Sequence, residues 1–384
     1  MFFCLNIYIY WDFVCLLRKN SLVMESLASL LKEKGEASRV VFITGAGLSV
    51  ASGIPTYRGG KDATWSNFVY KWGTREKFLK DPLEWYNTFW LATHHKKSYL
   101  TAKPNVGHRT VALLARRFKG VRVITQNIDG LHLRGKHYVP DEQLVEVHGH
   151  LDKYKCVTAG CPNEQKTLNS VPLDFSRPRV SGKKKGTKRK GEMPSEDAWT
   201  LDTPPKCEGC GEALLPQALF FDEDYESHPF YQYEKVEAWM EECCAFVFVG
   251  TSFSVGITLN AILEARRRQI PVYNFNLASD ENFLSQTHRL KDENLVHSIL
   301  GRCEVTLPIL YQLSTSRTSS RILSLKLGTA PETGDSGKRG TGEGRVLKRR
   351  RSNESIDEGS RRSTRRPKTP PKSLCIRRTN SSPW

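Results

Sequence analysis

The hydrophobic residues of this chain include four short runs, rich in β-branched side chains, that predict strands. These runs are residues 40–44, 121–125, 245–249 and 271–275. Gly, Asn or Gln follows each run at once, and helical stretches separate the runs, with aromatic-rich segments around residues 85–93 and 106–118. Strands that alternate with helices indicate a parallel sheet covered on both faces, in which ligands bind beyond the carboxyl ends of the strands. The pattern predicts a Rossmann-like α/β protein with a site at that edge.

The amino-terminal segment has a different pattern. An apolar run from Phe2 to Leu17 is too short for a comfortable membrane span, and its basic residues follow it rather than precede it as in a signal peptide. Met24 opens an amphipathic helical pattern that ends near Gly35. We expect Met24 to be the working start and residues 1–23 to be an extension, with a weak membrane or partner anchor as the alternative. We expect no stable membrane association.

Two segments carry most of the formal net charge of +17 on this 384-residue chain. Residues 316–384 have a net charge of +12 and residues 162–206 one of +4, so the rest of the chain is nearly neutral. Both segments are rich in Ser, Gly, Pro and charged residues, a composition that predicts a disordered basic insertion and a disordered basic tail. The folded part of the chain is therefore expected to lie between the amino-terminal extension and residue 316.

A glycine-rich turn follows the first predicted strand. Gly45, Ala46 and Gly47 permit a tight turn and a close approach to a pyrophosphate, and Ser49 follows them. Val50 stands where the dinucleotide fingerprint has its third glycine, so a hydride-transferring dehydrogenase is disfavoured. The alternative for this segment is a strand-to-helix turn without a ligand.

Amide and carboxylate side chains follow the second predicted strand. Gln126, Asn127 and Asp129, with Ile128 among them, offer the paired donors and acceptors that a carboxamide and ribose hydroxyls need. An Asn/Asp turn that caps a helix is the alternative.

Small polar residues follow the other two predicted strands. Gly250, Thr251 and Ser252 suit contacts with phosphate or ribose, and Asn274 and Asn276 could hold a second ribose.

A histidine stands before a glycine in the segment Glu146–His150. His148, held open to a substrate, can act as a general base, although a single histidine is more often structural. We interpret His150 as a structural residue.

Four cysteines in two close pairs give the strongest local signal. Cys156 and Cys161 form the first pair and Cys207 and Cys210 the second, which matches the four thiolates of a tetrahedral structural zinc site. Four protein ligands leave no position for water, so the zinc is expected to be structural. Two chance pairs of reduced thiols are the alternative.

In this order, these motifs resemble the sirtuin family of NAD-dependent protein deacylases over roughly residues 24–315. The resemblance implies a Rossmann-like large domain, a small zinc-ribbon domain at about residues 151–216, and a cleft for NAD and an acyl-lysine peptide. It implies that Asn127 and Asp129 hold the nicotinamide carboxamide, and it places Asn127 with His148 among the catalytic residues. The remaining NAD contacts that it implies are Gly45, Ala46, Gly47, Ser49, Tyr57, Arg58, Gln126, Ile128, Gly250, Thr251, Ser252, Asn274, Asn276 and Cys303.

The implied reaction consumes NAD. The acyl oxygen captures the ribose carbon as nicotinamide leaves, His148 takes a proton from the ribose hydroxyls, and the acyl group ends on ADP-ribose. The family's Phe-Gly-Glu peptide segment is here Phe220-Phe221-Asp222-Glu223, so Asp222 is expected to tune specificity. Residues 59–67 have no Tyr and Arg pair of the kind that family members selective for acidic acyl groups carry, which favours acetyl or an apolar acyl group.

Protein ADP-ribosylation and a non-enzymatic NAD-sensing scaffold are the competing functions. The basic runs 183–190, 348–351 and 361–366 are compatible with nuclear import and with electrostatic contact to nucleic acid. They favour nuclear substrates such as histones, with solvated tails and a cytoplasmic location as the alternatives.

Overall fold

A computed structural model describes most of the chain between residues 20 and 316. The described residues are 20–32, 39–56, 67–169, 171, 173, 175–176, 200–278, 280–291 and 294–316. Tyr57 and Arg58, residues 1–19, the basic run 183–190 and the tail beyond residue 316 lie outside them.

The described strands form one large sheet and two small ones. In chain order they are β1 (Val40–Thr44), β2 (Val121–Thr125), β3 (Leu144–Glu146), β4 (Gly149–Lys155), β5 (Thr167–Asn169), β6 (Phe175–Ser176), β7 (Thr200–Leu201), β8 (Leu215–Ala218), β9 (Ala245–Val249), β10 (Val272–Asn276) and β11 (Val296–Leu300). The large sheet has the order β11-β10-β9-β1-β2-β3, and all its strand pairs are parallel. The α/β class predicted from the sequence is confirmed.

The described helices flank these strands. They are α1 (residues 20–32), α2 (Asn67–Trp72), α3 (Arg75–Lys80), α4 (Pro82–Trp85), α5 (Leu91–His94), α6 (Lys97–Leu100), α7 (Val106–Arg117), α8 (Tyr233–Glu242), α9 (Gly256–Arg268), α10 (Glu281–Lys291) and α11 (Cys303–Thr315). A π-helical turn, Tyr86–Trp90, joins α4 to α5. None of these helices is long and apolar enough to cross a bilayer.

Alternate residues of the central strands enter different cores. Val40 and Phe42 of β1 pack in a cluster with α1, α7 and α11, whereas Val41 and Ile43 pack in a second cluster with α8, α9 and α10. Both faces of the sheet are therefore buried, which explains why its strands are continuous apolar runs rather than alternating ones. The chain builds β1, β2 and β3 outward on one side and β9, β10 and β11 on the other.

Three predictions of element bounds need correction. The fourth strand runs from Val272 to Asn276, one residue later than predicted, because Pro271 has no N–H to donate to the ladder. Helix α1 begins before Met24, and the Asn20 side chain hydrogen-bonds the backbone of Leu300 in β11. The predicted insertion 162–206 contains β5, β6 and β7, whose two or three residues are too few to give a sequence pattern.

A third core lies in a smaller lobe built from α2–α6 and the sheet β5-β4-β8. Trp85 and Tyr86 are fully buried there, and the Tyr86 hydroxyl donates to the Leu214 carbonyl at 2.7 Å. The same core includes the buried thiols Cys156, Cys161 and Cys207.

Candidate active site

The register of the central strands brings the sequence motifs to one edge of the sheet. Thr44, the last residue of β1, lies opposite Thr125 of β2 and Val249 of β9, and Thr125 lies opposite Glu146 of β3. The strand order reverses between β1 and β9, the switch point at which an open α/β sheet leaves a crevice. The loops after β1, β2, β3 and β9 therefore surround one crevice.

Glycines allow the loops after β1 and β9 to touch. The N–H groups of Gly45 and Gly47 donate to the carbonyls of Val249 and Gly250 at 2.9 and 2.8 Å. A Cβ on Gly47 would lie 2.7 Å from the Gly250 oxygen, and a Cβ on Gly250, whose φ is 59°, would lie 2.5 Å from the Leu48 nitrogen. Gly45 and Gly47 are predicted to contact a pyrophosphate and Gly250 a phosphate or ribose, and the packing of the two loops by itself also requires glycine here.

A buried polar network lies beneath this turn. The Ser49 hydroxyl donates to an Asp129 carboxylate oxygen at 2.6 Å, and the Asn127 amide donates to Ser49 at 3.2 Å and to the Gly45 carbonyl at 3.1 Å. The other Asp129 oxygen accepts the Leu131 N–H at 2.9 Å. Burial raises the pKa of Asp129, and its hydrogen bonds to Ser49 and Leu131 oppose that rise. The network fixes both side chains that the resemblance assigns to a carboxamide.

Gln126 ties the loop after β2 to the loop after β9. Its side-chain amide donates to the Thr251 hydroxyl at 3.2 Å. Ile128 is buried in the core of the smaller lobe, and its carbonyl accepts the Leu151 N–H at 2.7 Å. The predicted segment thus connects the large sheet to the smaller lobe.

His148 lies at this edge as a neutral imidazole of defined tautomer. Its Nδ1 is 3.0 Å from the Gln126 carbonyl oxygen, which can only accept, so Nδ1 carries the proton. Its Nε2 therefore bears the lone pair, 3.3 Å from the Tyr225 hydroxyl. Burial lowers the pKa of His148 to about 4, with the Gln126 hydrogen bond acting against that shift. His148 is thus in its basic form at neutral pH.

Two further histidines, which the sequence did not single out, lie under the network. The His108 Nε2 is 3.4 Å from the Ser49 hydroxyl, and the His132 Nε2 is 2.9 Å from the Thr44 hydroxyl. Both histidines are buried, and burial lowers both pKa values, that of His132 to about 4. The residues next to them in sequence form no recognisable motif. A histidine that hydrogen-bonds a serine or threonine of another element has no fixed sequence separation from its partner.

The residues predicted to contact the adenosine half are placed less uniformly. Asn276, at the end of β10, donates to the Thr251 carbonyl at 2.9 Å, and Ser252 is exposed beside it. Asn274 has no exposed surface, and within the described residues its amide atoms have no hydrogen-bond partner. Cys303 is buried at the start of α11, where its thiol faces the Phe275 carbonyl at 3.8 Å.

The four predicted zinc ligands meet in the smaller lobe. Their sulfur atoms all lie within 4.8 Å of one another, with Cys156 to Cys210 at 3.6 Å and Cys161 to Cys207 at 3.7 Å. Zn–S bonds of about 2.3 Å in a tetrahedron put sulfurs about 3.8 Å apart. The Asn163 side chain donates to the Cys207 sulfur and its backbone N–H to the Cys161 sulfur, hydrogen bonds that would orient and stabilise metal-bound thiolates. The set therefore fits a structural zinc ion with no open position.

The Phe220–Glu223 segment has its acidic residues in structural roles. The Asp222 carboxylate accepts the N–H groups of Arg75 and Glu76 at 2.7 and 2.9 Å, at the start of α3. Glu223 forms a buried ion pair with Lys155, whose Nζ is 2.7 and 2.6 Å from its two oxygens. The carboxylate of Asp222, expected to tune specificity, is thus engaged with α3.

A family sequence model and several known proteins are similar to this chain. The sequence model of the Sir2 family matches residues 45–256. The NAD-dependent deacetylase sir2E of Dictyostelium discoideum is 42% identical over 294 residues, which are 76% of this chain and 77% of that protein. The mitochondrial NAD-dependent protein deacylase sirtuin-5 of Canis lupus familiaris is 29% identical over 299 residues, which are 74% of this chain and 84% of that protein.

Solved structures share the fold. A complex of a Sir2 homolog with NAD is 24% identical, has a TM-score of 0.52, and aligns over 75% of this chain and 93% of that chain. A Sir2 mutant bound to a p53 peptide and NAD is 20% identical, has a TM-score of 0.50, and aligns over 76% of this chain and 99% of that chain.

Proposed function

The chain belongs to the Sir2 family, and from this premise we propose that it is an NAD-dependent protein-lysine deacetylase. The reaction transfers the acetyl group of an acetyl-lysine side chain to ADP-ribose and releases nicotinamide, so NAD is a consumed substrate. One observation carries the proposal. A neutral His148 with its lone pair on Nε2 lies at the same edge as the Asn127–Ser49–Asp129 network.

The network offers acceptors for the N–H groups of a carboxamide. The Asp129 carboxylate and the Asn127 side-chain carbonyl can both accept from the amide nitrogen, while the two Asn127 N–H bonds hold Ser49 and the Gly45 carbonyl. Ser49 holds the two side chains together, and both are more than nine-tenths buried. A buried, preorganised pocket of this kind stabilises a bound group without reorganisation when the bond to the ribose breaks.

His148 supplies the base. With Nδ1–H donated to the Gln126 carbonyl, Nε2 is the nitrogen that can take a proton from a ribose hydroxyl. Because the pKa is about 4, the imidazole is ready to accept a proton throughout the neutral range. The low pKa also makes the imidazolium transient, so the proton is passed on as the acyl group moves.

The acyl group is proposed to be acetyl, with longer apolar acyl groups as the alternative. Support comes from residues 59–67, which have no Tyr and Arg pair to bind an acidic acyl group. The relatives include both a deacetylase and deacylases by name.

Nuclear proteins, histones among them, are the proposed substrates. The support is the charge of the basic runs 183–190, 348–351 and 361–366, which suits both import and electrostatic contact with nucleic acid.

A reporter fused to residues 316–384 should accumulate in the nucleus. A reporter that stays cytoplasmic would count against this tail as an import signal.

A panel of acylated lysine peptides tests the enzyme activity. Nicotinamide release should require both NAD and an acyl peptide, be fastest with acetyl, and be lost in His148→Ala. His288→Ala is the matched control, because His288 is exposed on α10 and should be dispensable. Normal turnover by His148→Ala would refute the mechanism, and labelled ADP-ribose retained on protein without deacylation would favour ADP-ribosyl transfer instead.

A further inference from the structure

Tyr225 lies directly against the proposed base. Its hydroxyl oxygen is 3.3 Å from the His148 Nε2, and the two rings are nearly parallel, with centroids 5.9 Å apart and an interplanar angle of 17°. Tyr233 of α8 also stacks on Tyr225, with ring centroids 5.0 Å apart. Tyr225 lies two residues beyond the Phe220–Glu223 segment, and no sequence motif pointed to it.

The direction of this hydrogen bond follows from the partners of both groups. Nδ1 of His148 donates to the Gln126 carbonyl, so the neutral ring can only accept at Nε2. The Tyr225 hydroxyl must therefore be the donor. The phenol keeps its proton at neutral pH, because burial raises the pKa of Tyr225.

The start of helix α9 lies beside the Tyr225 oxygen. The backbone N–H of Ile257, in the first turn of α9, acts on this oxygen and lowers the pKa of the phenol in part. First-turn N–H groups have no partner within their own helix, and the helix amino end carries a partial positive charge. Gly256 precedes Ile257, and even a Cβ there would lie only 3.8 Å from the Tyr225 oxygen. The Tyr225 oxygen thus lies beside the positive end of α9, and its proton is donated to the His148 Nε2.

Given the proposed function, in which His148 is the base, we propose that Tyr225 is a positioning residue for it. The Tyr225 hydroxyl, beside the start of α9, donates to Nε2 and fixes the ring. It keeps the ring neutral until a ribose hydroxyl takes its place as the donor. In the free enzyme the His148 Nε2 is therefore hydrogen-bonded to Tyr225, and its lone pair points to the position that the ribose hydroxyl must occupy. Proton transfer then breaks the ribose O–H bond and forms an N–H bond at Nε2.

Few other groups can disturb the titration of His148. The Gln126 carbonyl faces it from the loop after β2 and Tyr225 from the loop after β8, and Tyr233 stacks on Tyr225. On its own segment, Glu146 and His150 lie two residues away. The pKa of His148 responds to burial and to the Gln126 carbonyl, with no contribution from a charged side chain of the described residues.

The test is a histidine titration by NMR on the full-length free enzyme with ¹³C-labelled histidine. The His148 resonance is assigned by its absence in His148→Asn. Tyr225→Phe removes the donor to the neutral ring, so the pKa of His148 should rise by about 0.5 to 1 pH unit. Tyr233→Phe is the control, since the Tyr233 hydroxyl accepts from Asn260 and lies one ring further away. The acid limb of kcat/KM should move upward with the pKa in Tyr225→Phe only.

The outcomes separate this proposal from the proposed function. The titration ends at the low pH at which a change in circular dichroism shows that the protein begins to unfold. Within that range, the His148 resonance of Tyr225→Phe should begin to shift at a higher pH than that of the wild type. An unchanged or lower pKa, or an equal rise in Tyr233→Phe, would overturn the positioning role even in an active enzyme. A shifted pKa in a protein without deacetylase activity would instead refute the function. If Tyr225→Phe does not fold, Tyr225→Leu, which also lacks the hydroxyl, takes its place.

Discussion

At the edge of the sheet that holds the candidate site, the backbones of the loops after β1 and β9 approach so closely that one added methyl group would push them apart. Gly45 and Gly47 lie against Gly250 with hydrogen bonds between the two loops. The same edge holds buried polar side chains whose charges are controlled by burial, such as Asp129 and Glu146. At the scale of residues, the site therefore depends on three glycines that leave room for the two loops and on buried carboxyl groups.

The cost of filling the loop contact can be measured. Gly250→Ala should lower the free energy of unfolding by about 3 kcal/mol, since a left-handed φ of 59° and a backbone clash both act against the new Cβ. Gly53 also has a left-handed φ, of 87°, but no atom lies within 4 Å of its Cβ position. Gly53→Ala should therefore cost only about 1 kcal/mol. Equal losses in urea unfolding would show that the clash contributes nothing.

Glu146 should make the protein less stable as pH rises. Burial raises its pKa from 4.5 to about 8, so between these values the unfolded chain is ionised while the folded chain keeps the proton. Stability therefore falls across that window, and relative to Glu146→Gln the wild type should lose about 2 kcal/mol or more. Buried histidines with lowered pKa values act in the opposite sense below pH 6.5, but both proteins contain them. Parallel stability curves from pH 4.5 to 8 would contradict the assignment.

At the scale of elements, the Phe220–Glu223 segment holds α3 and the small sheet together. Asp222 caps the first turn of α3, and the Phe221 N–H donates to the Gly73 carbonyl at 3.0 Å. One residue on, Glu223 pairs with Lys155 of β4 in the interior. A segment expected to bind a peptide is thus anchored at both of its acidic residues.

Removing the Asp222 cap should loosen this segment. Asp222→Ala is expected to cost about 1 kcal/mol of stability, as the loss of a helix cap does. Because the cap holds the proposed peptide segment, KM for the acetyl peptide should rise several-fold while KM for NAD stays within about twofold. Asp224→Ala, at an exposed position on the same loop, is the control. A rise in KM for NAD alone would contradict this role.

At the scale of the whole molecule, three hydrophobic cores and one cysteine cluster organise the described residues. Two cores cover the faces of the large sheet, and the third fills the smaller lobe, where three of the four cysteines are buried. The basic charge lies mainly in residues 316–384 and 162–206, so the catalytic body is nearly neutral. The smaller lobe therefore combines a hydrophobic core with a cysteine cluster that fits a metal ion.

The zinc should be needed for the smaller lobe to fold. Purified protein should release one zinc ion per chain to a chromogenic chelator after thiol modification, and Cys210→Ser should release none. The variant should lose peptide binding and melt at lower temperature, because metal binding and folding are coupled. Cys244→Ser is the control, at a half-buried cysteine outside the cluster. Full zinc content in Cys210→Ser would exclude the four-thiolate site.

The sequence by itself determined the α/β class, three strands to the residue, the cysteine set and the family, because these depend on local hydrophobic runs and on short motifs with fixed spacing. Only the tertiary structure decided which side chains of the site hydrogen-bond one another. Ser49 bridges Asn127 and Asp129, Tyr225 reaches His148, and Asp222 caps α3, all across long separations in sequence. Such pairs form when strand register and loop packing bring distant segments together. Local hydrophobic patterns and short motifs do not specify which distant segments will meet. For the same reason the tautomer and low pKa of His148 follow from a carbonyl 22 residues away and from burial.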